Sequence, residues 1–154
     1  MTNTSNVIET LNDLIEIHND RIAGYEKALK ELEGDSPSLR AAFLKYIDQS
    51  HRHRMALATE VQVLKGDVEK GTTLSGKIYR AWMDVKAAFT GHNEHAVLAS
   101  AEFGEDAALK AYDSALEEEL PASLRQIIAA QQQELRMAHN EVKTMRDYEK
   151  ETAS

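Results

Sequence analysis

Apolar residues recur in this chain at an unbroken alternation of three and four positions, over stretches much longer than any ordinary strand. Ile8, Leu11, Ile15, His18, Ile22, Tyr25, Leu29 and Leu32 form one such seam, and Leu124, Ile128, Gln131, Leu135, Ala138, Val142 and Met145 form another. Side chains three and four apart share one face of a helix, so each seam is a stripe to be buried against a neighbouring helix. A β-strand, whose faces alternate at every residue, has no use for this spacing. Only 2 Pro and 7 Gly occur in 154 residues, so little interrupts the pattern.

The punctuation divides the chain into four long helices, expected at 6–33, 37–64, 94–118 and 121–148. Asn6 with Glu9 three residues on reads as a capping box. Gly34-Asp35-Ser36-Pro37 ends the first helix and starts the second, with Ser36 as cap and Pro37 in the first turn. The second seam runs through Leu39, Phe43, Ile47, Ser50, Arg54, Leu57, Val61 and Leu64, flanked by Tyr46 and His53. Gly66 and Gly71 bracket a polar exit from the bundle. A shorter amphipathic helix is expected at 75–89, with Ile78, Trp82, Val85 and Phe89 as its stripe. Leu120-Pro121 marks a tight turn. Tight turns make each pair of long helices an antiparallel hairpin. The expected architecture is all-α: a four-helix bundle of two hairpins, a single domain over 1–154, with a short helix in the long crossover connection.

Composition narrows the functions. A net charge of −8 argues against a nucleic-acid surface, which needs a clustered basic face, and against an anionic membrane surface. The short run His51-Arg52-His53-Arg54 does not outweigh that balance. The absence of cysteine removes disulfides, thiol catalysis, Cys-ligated zinc and iron–sulfur clusters. No apolar run approaches membrane-spanning length, and the N-terminus carries no signal-peptide pattern, so a cytoplasmic location is expected.

The chemistry is concentrated in polar residues on the apolar seams. Leu98, Glu102, Glu105, Leu109, Tyr112 and Leu116 form the third seam, with two carboxylates where burial is costly unless they are paired, protonated or bound to a cation. Uniform helical rise across each turn sets His18 opposite Ser50 and His53, and sets Glu102 and Glu105 opposite Glu134, Ala138 and His139. Both clusters then lie near mid-bundle. Carboxylates supply charge and imidazole supplies a directed nitrogen, a set suited to iron, manganese or zinc. The candidate metal ligands are Glu102, Glu105, Glu134, His139, His18 and His53. The competing reading for Glu102 and Glu105 is a salt-bridge cluster with Arg54. For His18 it is a hydrogen-bonded core histidine, for His53 an exposed or supporting role, and for Glu134 a solvated one. Gln131 reads as a satisfied core amide, and Tyr25 and Tyr112 as packing residues with polar tips.

The strings LNDLIEIHNDRIAGYEKAL, AEFGEDAALKAYDSAL and QQQELRMAHNEV, with GKIYRAWMDVKAAFTG in the crossover, resemble a bacterial ferritin-like four-helix domain family of unknown function. The resemblance runs over nearly the whole chain and implies the ferritin-like bundle. The broader ferritin and rubrerythrin-like superfamily carries a Glu on each of two helices and Glu-x-x-His on the other two. Glu102-x-x-Glu105 is similar to the paired acids on the third helix of rubrerythrin-like sites. His18 stands where the first-helix Glu is expected, Gln131-x-x-Glu134 in place of the last Glu-x-x-His, and Asp48-x-x-His51 is the nearest match on the second helix. The resemblance thus leaves one metal, two metals or none as alternatives. Two functions follow: a metal-binding protein engaged in iron handling or oxidase/peroxidase-type chemistry, or a non-enzymatic, stress-associated bundle acting through its surface. A homodimer is the partner expected for the second.

Overall fold

The computed structural model describes residues 4–32, 36–68 and 94–153, the side chains of 94 and 149–153 excepted. The expected helix at 75–89, with Trp82 and Phe89, lies outside the described residues. Four helices are formed among the described residues: α1 Thr4–Glu31, α2 Pro37–Val63, α3 Glu94–Glu117 and α4 Ala122–Ala153. Among the described residues there is no strand. The first helix starts ahead of Asn6, so the expected capping box falls inside it. There the Asn6 carbonyl accepts from Thr10 Oγ1 at 3.0 Å. Ser36 is the N-cap of α2, with Pro37 in its first turn.

Two arginines tie the hairpin turns. Arg40 on α2 donates to the Leu32 carbonyl just past α1, at 3.0 Å. Arg125 on α4 donates to the carbonyls of Leu116 and Glu118 at 2.6 and 2.7 Å. In both, a guanidinium satisfies carbonyls left without intrahelical partners and sits at the negative end of the helix dipole. The end of α2 is a Schellman motif, with Gly66 N–H donating to Val61 O and Lys65 N–H to Gln62 O. Its left-handed residue is Lys65, at φ 63, rather than a glycine. Gly66 is needed next to it for a close approach: a Cβ there would come within 2.8 Å of Ile8 Cγ2 on α1.

Side-chain pairs give the topology. On α1 and α2, His18 meets Ser50 and Arg21 meets Tyr46; between α1 and α3, His18 meets Tyr112 and Arg21 meets Glu105; between α2 and α4, Tyr46 meets Glu141 and His53 approaches Glu134. In each pair of helices one number rises as the other falls, so all three pairings are antiparallel. So is α3 with α4, where Tyr112 meets Gln131 and Asp106 meets His139. It follows that α2 and α3 run parallel. This is the single-crossover order anticipated from the sequence.

The interior is two apolar clusters with a polar layer between them. One gathers Tyr25, Leu32, Leu39, Phe43, Leu98 and Val142, among others. The other gathers Leu11, Ile15, Leu57, Leu109, Ile128 and Leu135. The polar layer holds His18, Arg21, Ser50, His53, Glu105 and Gln131, all buried. Leu135 is fully buried in the second cluster. Leu135→Ala is expected to lower unfolding stability by about 3 kcal/mol, the usual cost of a core leucine plus its cavity, checked by urea denaturation.

Candidate functional site

The polar layer is assembled from α1 outward. Val7, Leu11, Leu14, His18, Arg21, Tyr25, Ala28 and Leu32 form a seam of their own, also spaced four and three, and every member is buried. The burial of Arg21 follows from this spacing, three after His18 and four before Tyr25. The seam through Ile8, Ile15, Ile22 and Leu29 lies beside it, and reading that one alone hides the arginine.

Arg21 is 1% exposed and Glu105 is fully buried. Arg21 Nε donates to Glu105 Oε1 at 2.8 Å, and the Tyr25 hydroxyl donates to the same oxygen at 2.5 Å. Arg21 Nη1 also donates to Ser50 Oγ at 2.7 Å and to the Tyr46 carbonyl at 3.4 Å. Burial works against the charge of Arg21, but Glu105 and the nearby tyrosines outweigh it and hold the pKa above the ordinary value. Burial, then the Glu105 carboxylate, pushes the Tyr25 hydroxyl well above the usual range, so it remains a donor. The charged partner of Glu105 is Arg21, not Arg54. Arg54 is turned out of the α2 seam to Asn19 and His51, while Tyr46, Gln49 and His53 turn in.

A second chain of bonds fixes the state of His18. The His53 backbone carbonyl can only accept, so the Gln131 amide nitrogen, at 3.2 Å, donates to it. Gln131 Oε1 then faces Tyr112 and takes the hydroxyl proton at 2.7 Å. Tyr112, with its one proton spent, must accept from His18 Nε2 at 2.6 Å. The neutral ring therefore accepts at Nδ1, from Ser50 Oγ at 3.0 Å. Burial first, then Arg21, His53 and Arg54, hold the His18 pKa well below its ordinary value, which keeps the ring neutral. Both His18 nitrogens are thus engaged. A resident metal pair inside the bundle does not fit these residues: Glu105 Oε1 is held by a guanidinium, with Oε2 the one oxygen left without a hydrogen bond beside that fixed positive charge, and His18 has no free lone pair.

The other candidate ligands are distributed over two faces. On the α3–α4 side, Glu102, Asp106 and His139 bring one ligand atom each within 4.8 Å of one another. His139 Nε2 lies 2.7 Å from Asp106 Oδ1, and Arg146 Nη1 lies 2.5 Å from Glu102 Oε2. Asp106 follows Glu102 by one helical turn, and the i, i+4 spacing is the signal that marks it. On the α2–α4 side, His53 Nε2 is 3.5 Å from Glu134 Oε2. His53 is buried despite its charged neighbours, and desolvation depresses its pKa to about 4 although Glu134 pulls the other way. Of the expected facing of Glu102 and Glu105 onto Glu134, Ala138 and His139, Glu102 does come near His139, but its ion pair is with Arg146 rather than any contact with Glu134, and Glu105 pairs with Arg21. The reason is that the offset along α4 grows away from the turn: Leu116 meets Arg125, Tyr112 meets Gln131, and Glu102 meets a residue farther along than uniform rise predicts. Glu134 belongs to the α4 face that meets α2.

Arg21→Met is expected to cost about 3–5 kcal/mol, because it strands a buried carboxylate, and Arg21→Met/Glu105→Leu to recover most of that loss. Urea denaturation of the three proteins checks this. His18 and His53 bind protons less readily folded than unfolded, so their share of stability is intact above pH 6.5 and declines as pH falls toward 4. Denaturation midpoints at pH 7.5 and pH 5 are expected to show that loss, with a shallower pH slope in His18→Gln.

The comparisons with known proteins agree with this architecture. No curated protein matches the chain. Among solved structures, a point mutant of Dps1 from Mycobacterium smegmatis is similar, with a TM-score of 0.77 at 18% sequence identity, covering 93% of this chain and 96% of that one. At that identity the likeness establishes the fold, a ferritin-like four-helix bundle. The family model for DUF2383, described as a domain of unknown function, matches residues 6–119. The chain therefore belongs to the DUF2383 family, on a ferritin-like bundle whose interior carries an arginine–glutamate pair.

Proposed function

We propose that this protein is a ferritin-like cation handler that binds a divalent first-row metal, iron foremost, at Glu102, Asp106 and His139. The observation that carries this reading is the convergence of one imidazole and two carboxylates from α3 and α4, with ligand atoms within 4.8 Å of one another. Imidazole nitrogen with carboxylate oxygen is a donor set for iron, manganese or zinc. Asp106 is exposed and Glu102 and His139 are half-buried, so a cation has a path from solvent. The net charge of −8 favours cation approach. Arg146 is the built-in competitor: its guanidinium holds the Glu102 carboxylate in place and must swing aside for a metal. Its side chain is 32% exposed, which leaves it room to do so. Glu105 and His18 lie in the interior, paired with Arg21, Tyr25, Ser50 and Tyr112, and are not among its ligands.

A second reading rests on the hydrogen-bonded polar layer. In it the bundle is non-enzymatic, its interior bonds set helix register, and it acts through its surface, for example as a homodimer. Exposed apolar residues on α2 and α4, among them Leu44, Met55, Met137 and Tyr148, favour this.

Metal binding separates the two. Equilibrium dialysis against Fe2+ under anaerobic conditions, followed by elemental analysis, is expected to show a bound ion in the wild type. Asp106→Ala should weaken it by at least about tenfold, the least that losing even an outer partner of a metal site costs. Arg146→Gln should strengthen it by removing the competing cation. Unchanged affinity in both variants would sink the metal reading and leave the structural one.

A further inference from the structure

On the opposite side of α4 lies a second set of donors. We propose that His53, Gln49 and Glu134 form a distinct site for a divalent cation of the zinc, iron or manganese class between α2 and α4. Two of its members are buried polar side chains with an atom to spare. His53 is 5% exposed and Gln49 is 7% exposed. His53 Nε2 and Gln49 Oε1 are buried and make no hydrogen bond. Leaving such atoms unpaired is costly, and native proteins rarely do so.

The geometry favours a metal over a hydrogen bond. His53 Nε2 and Glu134 Oε2 are 3.5 Å apart, long for a nitrogen–oxygen hydrogen bond. Two ligand atoms on one tetrahedral metal, each about 2.0–2.1 Å from it, stand about 3.4 Å apart. Gln49 precedes His53 by one helical turn, so both side chains project from one face of α2 toward α4. Gln49 and Glu134 line a common cavity of 170 Å³, with Tyr46, Met137 and Ala138 in its walls. The cations at its rim already have partners. Lys45 is paired with Glu141 and Arg52 with Asp48, each at 3.2 Å. The Glu134 carboxylate, 3.5 Å from the imidazole and lining the same cavity as Gln49, is therefore the site's negative charge. An imidazole, a carboxylate and an amide oxygen are ligands that borderline divalent ions accept. With the His53 proton on Nδ1, the Nε2 lone pair is available to the ion.

This site goes beyond the one on the α3–α4 side and stands or falls separately. The test is titration of the full chain with Zn2+ alone by isothermal calorimetry, in four proteins: wild type, Glu134→Gln, Gln49→Leu and Asp106→Ala. Glu134 is about half exposed, so its replacement leaves the fold intact. A second sample loaded with Co2+ reports a nitrogen ligand through its visible absorption bands. The expected result is a Zn2+ event that persists in Asp106→Ala and is weakened at least tenfold in both Glu134→Gln and Gln49→Leu. The Co2+ bands of Asp106→Ala should disappear on adding His53→Gln. Zn2+ binding lost in Asp106→Ala and unchanged in Glu134→Gln and Gln49→Leu would overturn this site while upholding the other. Binding lost only in the latter two would do the reverse.

Discussion

The buried pair of Arg21 and Glu105 determines what the rest of the interior can be. The two residues come from different hairpins, 84 positions apart in the chain. Their contact joins α1 to α3 at the level where the apolar core is interrupted. A guanidinium and a carboxylate brought out of water must satisfy each other and recruit further partners, or the fold does not form. Tyr25 supplies a donor to the carboxylate, and Ser50 with the Tyr46 carbonyl takes donors from the guanidinium. Any other register of α1 against α3 would leave a full charge facing leucine and alanine. The pair adds little net stability compared with an apolar filling, but a slip by one turn would be heavily penalised.

The same pair changes the chemistry available to the bundle. Bundle interiors with inward-facing carboxylates commonly present them to metal ions. Here the positive charge opposite the carboxylate is covalent, built into α1. The layer's remaining polar groups then order themselves as a directed chain, from Arg21 through Ser50, His18, Tyr112 and Gln131 to the His53 carbonyl. Each bond in it dictates the proton position in the next. With the interior so committed, the acids and imidazoles that meet outside it do so on two faces of α4. Membership of DUF2383 and the Dps1 likeness settle the family and the fold. The choice between metal handling and a surface role lies with those faces.

Much of this was legible from spacing alone. The α4 seam from Leu124 to Val142 is buried as its periodicity required, since an amphipathic stripe of that length has only one way to hide. The meeting of His18 with Ser50 and His53 also followed from uniform rise across a short turn. The burial of Arg21 is not legible in the spacing alone, because arginine reads as a surface residue and two overlapping seams compete along α1. Which of them faces the partner helices is a rotation that local sequence does not specify. On α2, Arg54 occupies a seam position and His53 a flanking one, yet the helix is rotated to bury the histidine. The cost of an unpaired buried arginine decides that rotation.

Sequence alone therefore determined the four long helices, their pairing into antiparallel hairpins and the presence of a polar layer. These depend on periodicity and chain stiffness, which are properties of neighbours in the chain. Tertiary structure decided which charges meet, which face of α4 each acid occupies, and whether the central carboxylate is held by a metal or by a guanidinium. Those outcomes depend on the relative rotation and offset of helices far apart in sequence. They are set by the free energy of pairing buried charged and polar groups across helices, a condition that no single segment contains.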